Sequence, residues 1–258
     1  MILFICMRER EKIEESLDYL KNWGWENIYL KDCLYKRRGI RGEELARIRV
    51  VNPEDPLPNP SILPGEVRFE EKRIEDCACG KGNVYCGYRL TRFLAYSLDP
   101  QERRLSSMPV FITPDYVATW DSSDLRWHLR YAIFSIPTLV SLRGIVEAPA
   151  RPREFYISRR MGVDTRRLEE KMKDDFLTHE DRRLSRVLAG IILQAIFYFR
   201  IGNPFCEDRE CSLFHAHWQR ELLSSQDDNP YTLCPYHRNL WQEFLHKEGG
   251  IRYAKNLS

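Results

Sequence analysis

Between Pro204 and His237 the chain sets three cysteines and a histidine in two short pairs: Cys206-x4-Cys211, a 22-residue spacer, then Cys234-Pro-Tyr-His237. A tetrahedral Zn2+ wants four thiolate or imidazole donors, and two tight turns that each present a pair, with a folded segment between them, can supply all four. The second pair, C-x-x-H, has near-ideal spacing, and the first lies at the long end of the usual range. Three thiolates and one imidazole close the coordination sphere and leave no position for water. The expectation is one structural Zn2+ per chain, held by Cys206, Cys211, Cys234 and His237. The plainer reading of the same residues is three buried core thiols beside an unrelated histidine.

Two further histidines, His215 and His217, fall inside the spacer. On a helix, residues two apart point about 200° apart, whereas on a strand they share a face. They are expected to back the zinc ligands or to form a secondary site, the plainer reading being hydrogen-bonded core histidines. Cys77, Cys79 and Cys86, with glycines at 80, 82 and 87 and Cys33 as a distant fourth thiol, form a weaker candidate for a second metal. Gly80-Lys-Gly is too short for a phosphate loop.

The elements that must carry these residues come next. Leu184, Val187, Leu188, Ile191, Ala195, Tyr198 and Phe199 lie on one helical stripe, and the later turns are apolar all round, so a central buried helix is expected, stopped by Gly202-Asn-Pro204. Thr178-x-x-Asp181 has the form of its capping box. Helices are also expected at 9–23, 89–98, 164–175, 214–225 and 235–247. Strands are expected at 1–7, 27–34, 67–73 and 108–113, with two strands, or a strand and a bend, in 130–142. The opening is then a β-α-β unit. Five prolines in 53–65 mark a loop. The domain expectation is an α/β core over 1–201 and a Cys3His helical cap over 202–258.

Composition bounds the rest. With 258 residues, 43% hydrophobic and 12% aromatic, the chain is neither disordered nor fibrous. Forty basic residues against 38 acidic ones give no global field that demands nucleic acid or an anionic surface. The opening MILFICM lacks a basic leader and a small-residue cleavage site, so it reads as a buried strand rather than a signal peptide. The apolar run Val187–Phe199 is shorter than the ~20 residues of a membrane span. A cytoplasmic protein with no membrane partner is expected, its cysteines serving as core thiols or metal ligands rather than disulfides.

The run Gly202-Asn-Pro-Phe-Cys206-x4-Cys211 with Cys234-x-x-His237, after a long apolar helix, resembles the archaemetzincins, whose signature is HExxHxxGxxHC-x4-C-x-M followed by CxxC. Aligned on the first cysteine, the three zinc-ligand histidines fall on Ala195, Phe199 and Phe205, and the catalytic glutamate on Ile196. Gly202 matches the glycine, Leu213 stands at the methionine position, and His237 replaces the last cysteine. More closely, residues 108–245 resemble an archaeal family classed with metallopeptidases. The resemblance implies a metzincin-like twisted mixed sheet, a central helix and a C-terminal zinc-stabilised helical cap, without the groups that bind and use a catalytic zinc.

Three functions follow as expectations. The first is an inactive metallopeptidase scaffold with a structural zinc and a cleft for a peptide or protein partner. The second is a metal-dependent hydrolase with a relocated site drawn from His128, His179, His215 and His217 with Glu147, Asp124 or Glu180. The third, nucleic-acid binding through Arg151, Arg153, Arg159, Arg160, Arg166 and Arg167 with Phe155 and Tyr156 for stacking, is disfavoured because the interspersed acids suggest a solvated, ion-paired face. The segment 147–153 is expected to be a crossover loop, with a peptide-docking edge as the sharper alternative. Trp120, Trp127 and Trp218 are expected in the core.

Overall fold

The computed structural model describes residues 1–5, 10–31, 34–76, 82–228 and 232–247. It is mixed α/β and divides into two compact units, Met1–Glu11 with Tyr29–Ala148, and Lys12–Ile28 with Pro149–Ser258.

The first unit is built on sheets. Strands β1 (Ile2–Phe4) and β2 (Tyr29–Lys31) run parallel, joined by helix α1 (Arg10–Asn22), as the sequence suggests for a β-α-β opening. Then come α2 (Gly42–Ile48), α3 (Pro64–Glu75), β3 (Val84–Cys86), α4 (Gly87–Ser97), β4 (Pro109–Thr113), β5 (Tyr116–Asp121), β6 (Arg126–Arg130), β7 (Ala132–Ile133), β8 (Thr138–Ser141) and α5 (Leu142–Glu147). One sheet has the order β2-β1-β4-β8-β7, parallel except for β7; the other is β3-β5-β6. Every residue of β4 and β8 is buried, the pattern of parallel strands covered on both faces.

Residues 67–73 are helical, not a strand. Pro64 fixes the first turn of α3, and the Glu66 carboxylate accepts the Leu63 N–H at 2.9 Å. The residues α3 buries are Glu70 and Arg73, so its inward face is charged and escapes a search for apolar periodicity. The Arg73 guanidinium donates to both Asp115 oxygens at 2.9 Å and to Glu70 at 2.9 Å, between the rings of Tyr35 and Tyr85 at 4.9 and 5.3 Å. The Tyr35 and Tyr85 hydroxyls donate to Asp115 and Glu70 at 2.8 and 2.7 Å. The buried charges are thus paired as well as hydrogen-bonded, the condition for tolerating them. Burial raises the pKa of both tyrosines well above the ordinary value, which keeps the hydroxyls as donors.

The second unit is helical: the rest of α1, α6 (Arg153–Arg160), α7 (Thr165–Lys171), α8 (Arg183–Ile201), α9 (Gln219–Leu223) and α10 (Pro235–Lys247). In α8, Val187 to Phe197 is buried without a break. By length and composition α8 passes as a membrane span, but 72% of its apolar window is buried within the protein, as in a core helix. Gly190 lets the helix take Gln226 against its backbone, where a Cβ would lie 1.6 Å from the Gln226 Oε1. The start of α8 differs from the Thr178 box: the Asp181 carboxylate accepts the Arg183 N–H at 2.9 Å, a turn later.

The helix ends as the glycine predicts, with Gly202 at φ 76° donating its N–H to the Tyr198 carbonyl at 2.8 Å. Gly202→Ala is expected to cost about 1 kcal/mol in urea unfolding, because a side chain resists this left-handed backbone. An unchanged midpoint would show that the helix end relaxes without strain.

Candidate metal centre

The helix expected over 214–225 is shorter, because its first residues are taken up by backbone pairing. Cys206 donates its N–H to the Leu213 carbonyl at 2.8 Å and accepts the His215 N–H at 3.1 Å. Ala150 pairs with Trp218, donating to the His217 carbonyl at 3.0 Å and accepting from Gln219 at 2.8 Å. Segment 214–218 is therefore extended, and helix begins at Gln219. On the opposite side of the spacer, Pro235 opens α10 directly after Cys234, which puts Cys234 and His237 one helical turn apart.

These two arms bring Cys206, Cys211, Cys234 and His237 together, with one donor atom of each within 4.8 Å of all the others. Cys206 Sγ lies 3.9 Å from Cys234 Sγ; the His237 Nδ1 lies 3.9 Å from Cys211 Sγ and 3.1 Å from Cys234 Sγ. Around Zn2+ with Zn–S about 2.3 Å and Zn–N about 2.0 Å, tetrahedral edges are about 3.8 Å for S···S and about 3.6 Å for S···N. The donor set has the size and chemistry of a zinc site. All four cysteines among the described residues are free thiols.

Electrostatics add to the fit. Burial pushes the Cys211 thiol up to about 12 and raises Cys206, while it lowers His237. The protein opposes the thiol shifts with backbone N–H groups, from Cys234 and Leu213 toward Cys211 and from Asp208 toward Cys206 at 3.4 Å, and with the neighbouring Cys211 thiol toward Cys206. A divalent cation bound there would supply the positive charge that makes thiolates stable. The imidazole is fixed from α8 and α10, edge-on to Phe197 at 5.3 Å and beside Tyr236 at 5.0 Å. Phe197 also packs on Trp241 and Phe244, so the ligand turn is bound into the core of the unit.

His215 and His217 are both exposed, with Ala216 buried between them, as an extended segment requires. Their rings are 4.5 Å apart, and His215 stacks on Phe205 at 3.9 Å. They lie outside the four-donor cluster and close no three-donor group among the described residues. Cys33, Cys77 and Cys79 lie outside the described residues; Cys86 is buried in the first unit. Of the groups proposed for a relocated site, only His128 and Asp124 enter a three-donor group among the described residues, with Asp121 as the third donor, on the β5–β6 hairpin. Asp124 there already accepts from His128 at 2.8 Å and Arg126 at 2.9 Å, and Asp121 accepts from Ser123. Sequence reading missed this hairpin, whose Ser-Ser-Asp-Leu turn carries no glycine or proline, and with it Asp121.

A groove in the second unit of about 580 Å3 is lined by Pro152, Glu154, Met172, Arg209, Trp218 and Arg220, among others. Trp218 is not a core residue, being 46% exposed, whereas Trp120 and Trp127 pack against each other across the β5–β6 pair.

A model of the family described as "Probable metallopeptidase family (DUF6775)" matches residues 6–244. No curated protein and no solved structure matches the chain.

Proposed function

The chain belongs to that family of probable metallopeptidases, and from this premise we propose that it is a zinc-holding member that binds peptide or protein and does not cut it. The observation that carries the reading is the contrast between two sets of positions. Cys206, Cys211, Cys234 and His237 converge on one point as a closed site. The positions that the archaemetzincin resemblance assigns to catalysis are hydrocarbon: Ala195 and Ile196 are wholly buried, and Phe199 and Phe205 are half-buried. Hydrolysis by a metzincin needs imidazoles to hold the ion and a carboxylate to take a proton from its water. None of these four side chains can ligate or accept a proton. Bound in the Cys3His site, Zn2+ would cross-link the 206–211 loop to the start of α10 and supply no reactive water.

The partner site in this reading is the groove beside Trp218, where an exposed indole sits among Glu154, Arg209, Arg220 and Glu221. Mixed charges around one aromatic anchor suit a peptide segment of mixed sequence. Ala150 pairs with Trp218, and Pro152 follows it onto the groove wall. In keeping with free thiols, the proposed location is the cytoplasm.

The second reading, a hydrolase with a relocated metal, is favoured by the family's description and by the Asp121, Asp124 and His128 group. One experiment separates the two. Tag-free protein dialysed against a mild chelator is expected to retain one zinc per chain by elemental analysis. It is expected to give no peptide turnover with added Zn2+. Turnover that vanishes with chelator, returns with metal and is lost in His128→Ala would replace the first reading with the second.

A further inference from the structure

The helical hairpin α6–α7 ends in a tip of unusual composition. Residues 159–167 are exposed without interruption. The hairpin is held from beneath by its own small core of Phe155, Leu168 and Phe176, with Met172 against it. Outward it displays Ile157, Met161 and Val163, which are 47%, 78% and 42% exposed. Around them stand Arg159, Arg160, Arg166 and Arg167, whose guanidinium groups make no hydrogen bond or ion pair among the described residues. The one acid of the tip, Asp164, spends its carboxylate on the N–H groups of Arg166 and Arg167 at 2.9 and 3.2 Å. The ion-paired face expected from the sequence is absent at this tip.

We propose that the α6–α7 tip docks on an anionic lipid bilayer, with the four arginines on headgroup phosphates and Met161, Val163 and Ile157 entering the acyl boundary. Charge selects an anionic occupant. The apolar groups of the tip, Ile157, Met161 and Val163, are aliphatic and favour lipid over nucleic acid, the exposed ring beside them being Tyr156 at 41%. Phe155, which a base would need for stacking, is buried under the Arg151 guanidinium at 4.7 Å, and the Tyr156 hydroxyl accepts the Arg151 N–H at 3.1 Å. A specific protein partner would want a complementary face of about 800 Å2, more than the nine-residue tip offers, whereas a fluid surface accepts a small protruding tip. Docking of this kind needs no membrane span.

The test is flotation of the zinc-loaded full chain with phosphatidylcholine vesicles and with mixed phosphatidylcholine–phosphatidylglycerol vesicles. Partition is expected only to the anionic vesicles and should weaken as salt rises. Arg166→Gln with Arg167→Gln should lower it about thirtyfold, at about fivefold per arginine. Met161→Ser with Val163→Ser should lower it about tenfold, and Arg92→Gln in the first unit should leave it unchanged. All substitutions are at exposed positions, and an unaltered thermal transition confirms folding. Equal partition to neutral vesicles, no partition at low salt, or indifference to the Met161 and Val163 changes overturns the proposal. So does binding of an RNA oligonucleotide that the arginine variant loses while vesicles are ignored.

Discussion

Cys234→Ser is expected to be purified without zinc and to melt about 10–20 °C below the parent chain. The size follows from coupling. Structural zinc sites release about 10–16 kcal/mol on binding, and that free energy is folding free energy because the unfolded chain has no preformed site. Losing one ligand forfeits at least about 5 kcal/mol of it, and each kcal/mol moves a domain of this size by about 2–4 °C. Serine also leaves the half-buried Cys206 and buried Cys211 thiols with no full positive charge to hold them as thiolates. The damage should spread beyond the loop, since His237 leans on Phe197 and Phe197 on Trp241 and Phe244. Cys86→Ser is the control: that thiol is buried in the first unit and belongs to no three-donor group among the described residues, so zinc content should stay at one per chain. Zinc by elemental analysis and melting by circular dichroism read both variants. A zinc-free Cys234→Ser protein with the parent's melting temperature would show that the metal is incidental to the fold.

The convergence of the four donors could be read from sequence because its determinants are local. A C-x-x-H pair followed by an amphipathic run places both donors on the first turn of a helix, and α10 spans Pro235–Lys247 as its pattern suggests. Gly202 likewise announces the end of α8 through a backbone angle that few other residues adopt. What escaped was set by contacts distant in sequence. Residues 214–218 belong to a stretch that reads as helix, and pairing with Cys206 and Ala150 makes them extended. Trp218 reads as core and is a groove residue, which only the position of its neighbours decides. The β5–β6 hairpin turns on Ser122 to Leu125, with Leu125 at φ 54°, a conformation its side chain does not advertise.

Helix α3 shows the same limit from the energetic side, and Arg73→Met is expected to be the most damaging single change in the first unit, at about 3–5 kcal/mol in urea unfolding. The guanidinium serves two buried carboxylates at once. Without it Asp115 keeps the Tyr35 hydroxyl and a Thr113 contact at 3.3 Å, and Glu70 keeps the Tyr85 hydroxyl and Arg49 at 3.8 Å. Two negative charges would then share a volume from which water is excluded, with neutral donors at Asp115 and the more distant Arg49 as the cation left beside Glu70. Lysine is not a remedy, because a single ammonium cannot serve Asp115 from one nitrogen and Glu70 from another while lying between two phenol rings. Arg73→Lys should therefore recover less than half of the loss. Neutralising the partners as well, with Glu70→Gln and Asp115→Asn in the Arg73→Met background, should be less harmful than the three single costs summed, since the stranded charges go with the cation. Arg41→Ala, an exposed pair with Glu44, sets the baseline at under about 1 kcal/mol. A cost for Arg73→Met no larger than that baseline would mean that water reaches Asp115 and that the cluster is a surface feature. Zinc content should be unchanged in every variant of this series, because Arg73 and its partners lie in one unit and the four metal donors in the other.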